Sequence, residues 1–253
     1  MLVLTPRQTP GSQVISSSSG GWQLKIPAGM PGHYRLAQLD DYTGLRRRAF
    51  LWQPPATMSL RARASEETIP GTWGFGLWND PFSLSLGFGG GRRFPTLPNA
   101  AWFFFASPPN YLSLRDDLPA QGALAATFQS SRSLAALAAL GAPALPLLAL
   151  PPVSRSIRRL GRRMIRQDAA SLPVNPVEWH TYRLAWNEGR VIFCVDGSSF
   201  LETQVAPLGP LGLVIWVDNQ YAAWPATGRL SFGSLPNPHP AWIEIEELTI
   251  LDD

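Results

Sequence analysis

The sequence predicts an all-β fold, either a sandwich or a barrel, built from many short antiparallel strands. Short runs rich in aromatic and β-branched residues recur at intervals of about ten residues. The 25 prolines and 22 glycines are spread along the chain, as turns between such strands require. With 253 residues, of which 45% are hydrophobic, the chain is long enough for one large β-domain with a sizeable core.

The composition argues against several classes of protein. The net charge is only +3, and much of the basic excess lies in residues 155–166, so no general nucleic-acid surface is expected. The single cysteine, Cys194, rules out an internal disulfide and lies in an apolar run, where we expect a buried small side chain. The first residues lack the basic and long apolar regions of a signal peptide, which predicts a cytoplasmic or membrane-peripheral location.

The predicted strands follow one another from residue 22 onward. They are 22–26, 46–52, 58–64, 72–78, 82–88, 101–106, 180–186, 190–195, 211–217, 229–232 and 242–251. Residues 1–21 end in a Ser/Gly cluster and are interpreted as a lead-in, so 22–253 form a single domain. Residues 187–189, with Asn and Gly, have the composition of a hairpin turn.

The middle of the chain breaks this rhythm and predicts a helical insert at about 130–170. Residues 133–154 carry no charge and begin with a Leu/Ala-rich, helix-favouring run. At helical spacing, six basic residues of the following segment share one arc: Arg155, Arg158, Arg159, Arg162, Arg163 and Arg166. The opposite arc holds Ile157, Leu160, Met164 and Ile165. Such a helix either binds an anionic membrane surface or an acidic partner, or packs on its own domain with a solvated arginine face.

One stretch carries a specific resemblance. Residues 178–186 read E-W-H-T-Y-R-L-A-W, and residues 190–197 read R-V-I-F-C-V-D-G. This resembles the laminarinase-like glycoside hydrolases of family sixteen and their concanavalin A-like lectin and glucanase relatives, where a W/F-H-x-Y-x-x-x-W strand precedes one ending in V-D-G. The matching residues are Trp179, His180, Tyr182, Trp186, Val195, Asp196 and Gly197. The resemblance implies an antiparallel two-sheet jelly-roll sandwich.

Three further segments follow the same family order. Residues 71–78, G-T-W-G-F-G-L-W, are similar to the Gly- and Trp-rich strand that approaches the sugar groove in that family. Residues 210–216 and 243–251 stand where the family has its late concave strand and its closing strand. The resemblance therefore implies a concave face with a carbohydrate groove.

The catalytic acids of the family are missing from the expected place. The hydrolases carry an E-x-D-x-E strand, whose alternate residues share one face and supply the two carboxyl groups of retaining hydrolysis. The corresponding residues here, 101–107, read A-W-F-F-F-A-S, and we expect Phe103 and Phe105 to make the groove face apolar. We therefore expect a carbohydrate-binding or other ligand-binding protein without this hydrolytic chemistry. The alternatives are an active hydrolase with acids supplied from loops, and a structural or membrane-peripheral protein acting through the insert.

Two segments combine aromatic rings with amides and carboxylates near strand ends, the mixture that sugar binding needs. The candidate ligand-binding residues are Trp78, Asn79, Asp80, Trp216, Asp218 and Asn219. An apolar concave face would instead indicate a lipid or another hydrophobic ligand. The three histidines lack metal-ligand spacing, so no metal, cofactor or catalytic residue is predicted. Glu244 and Glu246 are expected on the solvent-facing side of the last strand.

Overall fold

The computed structural model describes residues 2–17, 20–81, 93, 96–131 and 148–252. Two seven-stranded antiparallel sheets stack face to face, so the predicted all-β sandwich is confirmed and the barrel alternative is excluded. We call them the front sheet and the back sheet.

Both sheets are mixtures of strands distant in sequence. The front sheet runs β1 (Thr5–Gln8), β4 (Leu36–Asp40), β13 (Gly212–Asp218), β6 (Thr72–Trp78), β7 (Ala100–Ala106), β8 (Gly122–Ser130), β9 (Ile165–Ser171). The back sheet runs β12 (Ser198–Thr203), β11 (Arg190–Val195), β10 (His180–Asn187), β5 (Ala56–Ala64), β16 (Ala241–Asp252), β3 (Trp22–Ile26), β2 (Gln13–Ser16). The remaining elements are a two-stranded ribbon of β14 (Gln220–Ala223) and β15 (Ser231–Ser234), a 3₁₀ helix (Arg47–Ala49) and the helix α1 (Pro151–Met164).

The main core lies between the sheets and is aromatic at its centre. Phe75 and Phe103 of the front sheet each meet the Tyr182 ring of the back sheet edge-on, with ring centroids 5.0 Å apart. Phe103 also meets Phe193 at 5.1 Å. These rings are fully buried, and rings of this size dominate the apolar area that folding removes from water.

The family-like stretch forms the hairpin that the sequence predicts. β10 and β11 pair antiparallel, with Tyr182 opposite Val195 and Asn187 opposite Arg190. Asp196, just beyond β11, accepts the backbone N–H of Thr181 at 2.8 Å, and its Oδ2 lies 2.6 Å from Nδ1 of His180. The motif residues His180 and Asp196 thus fasten the start of one strand to the end of the other.

Several segments differ from the expectations. Residues 46–52, predicted as a strand, contain the 3₁₀ helix Arg47–Ala49, and only Trp52 pairs in the manner of a strand, with Leu211. The Arg47 guanidinium donates to the carbonyl oxygens of Asn79 and Asp80, at 2.7 and 2.6 Å. The lead-in contributes β1 and β2 at one edge of each sheet, since neighbouring strands supply the pairing. The predicted strand at 82–88 and the Leu/Ala-rich part of the insert lie outside the described residues. No helix in the described part of the chain is long and apolar enough to span a membrane.

The arginine-rich helix is shifted relative to its prediction. It begins at Pro151, where the missing proline N–H costs nothing, and ends at Met164 because Ile165 already pairs with Ser130 of β8. The prediction that six arginines share one face of this helix is wrong at Arg166, which lies in β9. A solvated arginine face, one of the two alternatives, does not hold for Arg158, which is 4% exposed. It lies on the inner face of α1 and donates to the carbonyl oxygens of Ser113 and Trp224 and to the Asp116 carboxylate. Leu160, expected on the packing face, is 54% exposed.

Candidate ligand-binding site

The outer face of the front sheet is aromatic. Successive side chains of a strand point to opposite faces, so β7 directs Phe103 and Phe105 into the main core and Trp102 and Phe104 outward. The expectation that Phe103 and Phe105 line the groove was therefore wrong by one residue. Trp102 and Phe104 place aromatic side chains on the outer face instead.

Three indole rings meet at the centre of this face, and we call Trp78, Trp102 and Trp216 the tryptophan cluster. They come from β6, β7 and β13, which are neighbours in the front sheet. The Trp102 centroid lies 5.8 Å from each of the other two. The Trp78 and Trp216 rings are nearly parallel, with 7° between their planes and 6.5 Å between their centroids. The structure thus brings together the two tryptophans that the sequence singled out and adds a third.

Glycines of β6 make room for these rings. A Cβ added at Gly74 would lie 2.9 Å from the Trp216 ring and 2.3 Å from the Phe103 carbonyl oxygen. A Cβ added at Gly76 would lie 2.6 Å from the Trp102 Cβ. The alternating glycines of residues 71–78 are therefore explained by the close approach of the two neighbouring strands and their indoles.

At one end of the cluster, Trp78 is held by a polar network. Its indole N–H donates to the Tyr42 hydroxyl at 2.8 Å, and burial raises the pKa of Tyr42 well above its ordinary value. The Gln38 amide donates to Asp40 at 2.8 Å, and Asp40 also accepts the backbone N–H of Thr43 at 2.7 Å. Tyr42 is therefore a neutral hydroxyl beneath Trp78.

At the other end, Trp216 is held in the same way. Its indole N–H donates to the Thr72 hydroxyl at 3.0 Å, and Thr72 donates to Asp218 at 2.8 Å. The Tyr34 hydroxyl donates to the second oxygen of Asp218 at 3.2 Å. Burial raises the pKa of Asp218 to about 7, although these hydrogen bonds oppose the shift.

Trp102 differs from its two neighbours because its indole N–H donates to no residue of the described chain. Its ring borders a small apolar cleft together with Phe104, Phe128 and Leu124. The cleft measures about 30 Å³, which is enough for a water molecule or two and not for a ligand. A ligand at this face must therefore lie across the cluster, with Trp78, the half-buried member, as its most accessible ring.

The remaining predicted site residues have their polar groups occupied by the protein. Asp80 forms an ion pair with Arg93 at 2.5 Å, and burial raises its pKa although Arg93 opposes the shift. The Asn79 amide donates to the Leu97 carbonyl oxygen at 2.9 Å. The Asn219 amide donates to two backbone carbonyl oxygens, at 3.0 and 2.7 Å. These buried groups position loops: the side-chain amides of Asn79 and Asn219 are bonded within the described chain, and Asp80 uses one of its two carboxylate oxygens for Arg93.

Asp41 and Asp218, two buried carboxylates on this face, are farther apart than the pair of carboxyl groups that glycosidic hydrolysis needs. No residue of β7 is ionisable. Asp41 accepts the backbone N–H of Leu213 at 2.9 Å, and burial raises its pKa to about 6. Asp218 stands five residues further along β13, roughly 16 Å from Leu213 at strand spacing. Hydrolases hold their two carboxyl groups about 5–9.5 Å apart.

Two other carboxylates at the Asp41 end are committed to the structure. Asp40 accepts two backbone N–H groups, from Tyr42 at 3.2 Å and from Thr43 at 2.7 Å, and so closes the turn after β4. Asp80 is paired with Arg93. Neither carboxylate is presented to a substrate in this arrangement.

Sequence reasoning missed Trp102 and Tyr42 as members of the site. A usable signal was present for Trp102, since seven consecutive small or aromatic residues in β7 indicate a strand buried on both faces. Tyr42 follows β4, which was not predicted, so no pattern connected it with Trp78.

No protein-family model matches the chain, and no curated protein matches it. Solved structures do. A legume lectin-like domain from Entamoeba histolytica has a TM-score of 0.50 and 9% identity, covering 99% of this chain and 90% of that one. The kappa-carrageenase from Zobellia galactanivorans has a TM-score of 0.52 and 10% identity, covering 95% and 81%. The fold is the concanavalin A-like sandwich. At these identities the similarity shows a shared architecture only. It does not identify a ligand for this chain.

Proposed function

We propose that the protein binds a carbohydrate across the tryptophan cluster without hydrolysing it. The observation that carries the proposal is the cluster itself, with Trp78 partly accessible and the Trp102 indole N–H bonded to no described residue. An apolar ring face beside a few hydrogen-bonding groups is the usual composition of a small-molecule site, and it suits the apolar face and hydroxyl rim of a sugar ring. The similarity to a lectin-like domain supports binding as the activity.

The absence of acids from β7 supports binding over turnover. Retaining hydrolysis requires one carboxylate as nucleophile and a second as acid and base. The outward positions of β7 are occupied by Ala100, Trp102, Phe104 and Ala106, and none can fill either role.

The test is calorimetric titration with oligosaccharides from laminarin, lichenan, agarose and xyloglucan, for the native chain and for Trp78→Ala. We expect one of these sugars to bind and Trp78→Ala to weaken it at least about tenfold, corresponding to 1.4 kcal/mol. Trp242→Ala, which removes a half-buried tryptophan from the outer face of the back sheet, is the matched control and should leave binding unchanged.

Hydrolysis is measured on the same sugars. Turnover that disappears in Asp80→Asn or Asp218→Asn would establish the alternative, an active hydrolase with acids at the strand ends. If no sugar binds and an apolar fluorescent probe binds in a Trp78-dependent manner, the ligand is hydrophobic, as the apolar outer face also allows.

A second candidate function rests on the exposed side of α1. Arg155 and Arg163 are exposed and have no partner in the described chain, and Arg159 contacts only the Ser156 hydroxyl, at 3.3 Å. Basic residues grouped in this way attract an anionic membrane surface by roughly 1 kcal/mol each. Since Arg158 and its neighbours pack on the sandwich, the attraction would be electrostatic and would not require insertion of the helix.

Co-sedimentation with anionic and neutral liposomes tests this candidate. Arg159→Gln/Arg163→Gln should weaken binding to anionic liposomes at least about tenfold. Arg61→Gln/Arg63→Gln removes the same charge from the back sheet and should have a smaller effect. Equal, negligible sedimentation of all three proteins at low salt would leave α1 as a packing element only.

A further inference from the structure

A cavity separate from the tryptophan cluster opens at one end of the sandwich, between the two sheets. Its volume is about 500 Å³, within the range of small-molecule sites. Two loops that cross from one sheet to the other form its walls: residues 65–71, between β5 and β6, and residues 172–179, between β9 and β10. The ends of β7 and β8 complete the lining.

The floor of the cavity is formed by apolar side chains. Trp73 and Phe105 stack there, with ring centroids 3.6 Å apart and 5° between the ring planes. Ile69 and Leu172, both buried, lie beside them. Trp73 and Phe105 point inward from β6 and β7, whereas the tryptophan cluster lies on the outward face of the same strands. The two sites therefore share strands but no surface.

Two polar side chains of the lining bond within the protein: the Ser107 hydroxyl accepts the backbone N–H of Gly71, and the Asn175 amide donates to Glu178. The other polar side chains of the lining have no such partner in the described chain. The Trp73 ring is 2% exposed, yet its indole N–H donates to no residue of the described chain. This N–H is therefore left for an acceptor atom of a ligand. Glu67 and Thr68 are exposed at the cavity and bond to no described residue. Glu67 is the only charged residue of the lining, which contains no Arg, Lys or His.

We propose that this cavity binds a small organic cation, an amine that carries an apolar or aromatic body. The ammonium group would pair with the Glu67 carboxylate, because a lone carboxylate attracts a cation and repels an anion. The body would lie against Ile69, Leu172 and Phe105. A ligand that also carries an oxygen acceptor could accept the Trp73 N–H with that oxygen; the ammonium nitrogen can only donate. This site is independent of the carbohydrate site proposed above.

The test uses three probes with the same phenyl body: 2-phenylethylamine, 2-phenylethanol and 3-phenylpropionate. Calorimetry and the indole N–H resonances in ¹H–¹⁵N spectra report binding, with Trp73→Phe assigning the Trp73 signal. We expect the amine to bind most tightly, the alcohol more weakly and the carboxylate not at all. Glu67→Gln should weaken amine binding about tenfold, the loss of one charge-assisted contact.

Glu66→Gln is the matched control, because Glu66 is the neighbouring acid and does not line the cavity. It should bind the amine as the native chain does, and Trp78→Ala should also bind it. Val174→Trp, which fills the cavity from its rim, should abolish binding. The proposal is overturned if 3-phenylpropionate binds as well as the amine, if Glu67→Gln and Glu66→Gln behave alike, or if no probe binds at concentrations up to about 10 mM.

Discussion

The two outer faces of the sandwich are built on opposite principles, although both sheets contribute an inner face to the same core. In the back sheet, β5 alternates strictly between buried and half-buried residues over all nine positions. Its outer face carries ion pairs, such as Arg63 with Glu244 at 2.7 Å. In the front sheet, β7 and β13 are buried at every position. A sandwich core needs only one apolar face from each sheet, so the second apolar face of the front sheet requires an additional explanation.

Part of that explanation is the cover that the chain itself provides. Leu45, Phe50, Leu112 and Leu118 pack on the outer face of the front sheet from outside it, and Ile165 joins them from the start of β9. These contacts bury most of Trp102 and Trp216 but leave Trp78 half-buried. The outer face of the front sheet is therefore a second core, and Trp78 at its accessible edge is where we propose that a ligand binds.

Replacing one tryptophan on each outer face measures this difference directly. Trp216→Ala should lower the free energy of unfolding by about 3–5 kcal/mol, because it empties a packed site and leaves the Thr72 hydroxyl without its donor. Trp242→Ala on the back sheet should cost about 1 kcal/mol or less, since its surroundings are already partly solvated. Urea unfolding followed by far-ultraviolet circular dichroism gives both values. Similar losses would show that the front face is packed no better than the back.

How much of the fold the sequence could predict depends on whether the information for an element is local. The β10–β11 hairpin was predicted correctly because its information is local: alternating aromatic residues and a turn lie within one short stretch. β8 was missed because Gly122–Ser130 is rich in alanine, and its strand conformation depends on pairing with β7 and β9. The arginine spacing continues past Met164 and predicted helix there, but pairing with β8 prevails from Ile165 onward.

The candidate site was predictable only in part, for the same reason. The pairing of β6 with β13 places Trp78 and Trp216 on one face, as the family order of the strands implied. The partners that occupy the predicted polar groups are not local. Tyr34, which donates to Asp218, lies 184 residues away in the chain, so no pattern around Asp218 could indicate that its carboxylate is already bound.

The buried carboxylate of the front face should make stability depend on pH. Burial raises the pKa of Asp218 from 3.8 to about 7, so the folded state holds its proton more tightly than the unfolded state does. The stabilisation is complete below about pH 4 and is lost as the pH rises through 7. Between pH 5 and pH 8 the free energy of unfolding should fall by about 2.5 kcal/mol from this group.

Asp218→Asn should remove most of that pH dependence. The amide oxygen can still accept from Thr72, and the amide nitrogen can donate to the Tyr34 hydroxyl, so the variant is expected to fold. Urea unfolding of the native chain and of the variant at pH 5 and pH 8 gives the two pH dependences. Both proteins retain Asp41, whose pKa is raised to about 6, so a smaller dependence remains in the variant. An unchanged pH dependence in the variant would mean that Asp218 is ionised in the folded protein at pH 5.

The smallest change in stability is expected on the back face, where the oppositely charged side chains are partly exposed to solvent. The Arg63 guanidinium lies 2.7 Å from Glu244, and also 4.9 Å from the Trp179 ring centroid and 5.6 Å from that of Trp242. Both charged side chains are partly exposed, at 38% and 25%, and exposed ion pairs contribute about 1 kcal/mol or less. A double-mutant cycle with Arg63→Met and Glu244→Gln should therefore give a coupling energy below about 1 kcal/mol at low salt, and less in 1 M salt because of screening. A coupling energy above about 2 kcal/mol that persists in salt would mean that the back face is desolvated as the front face is, and the contrast between the two faces would no longer hold.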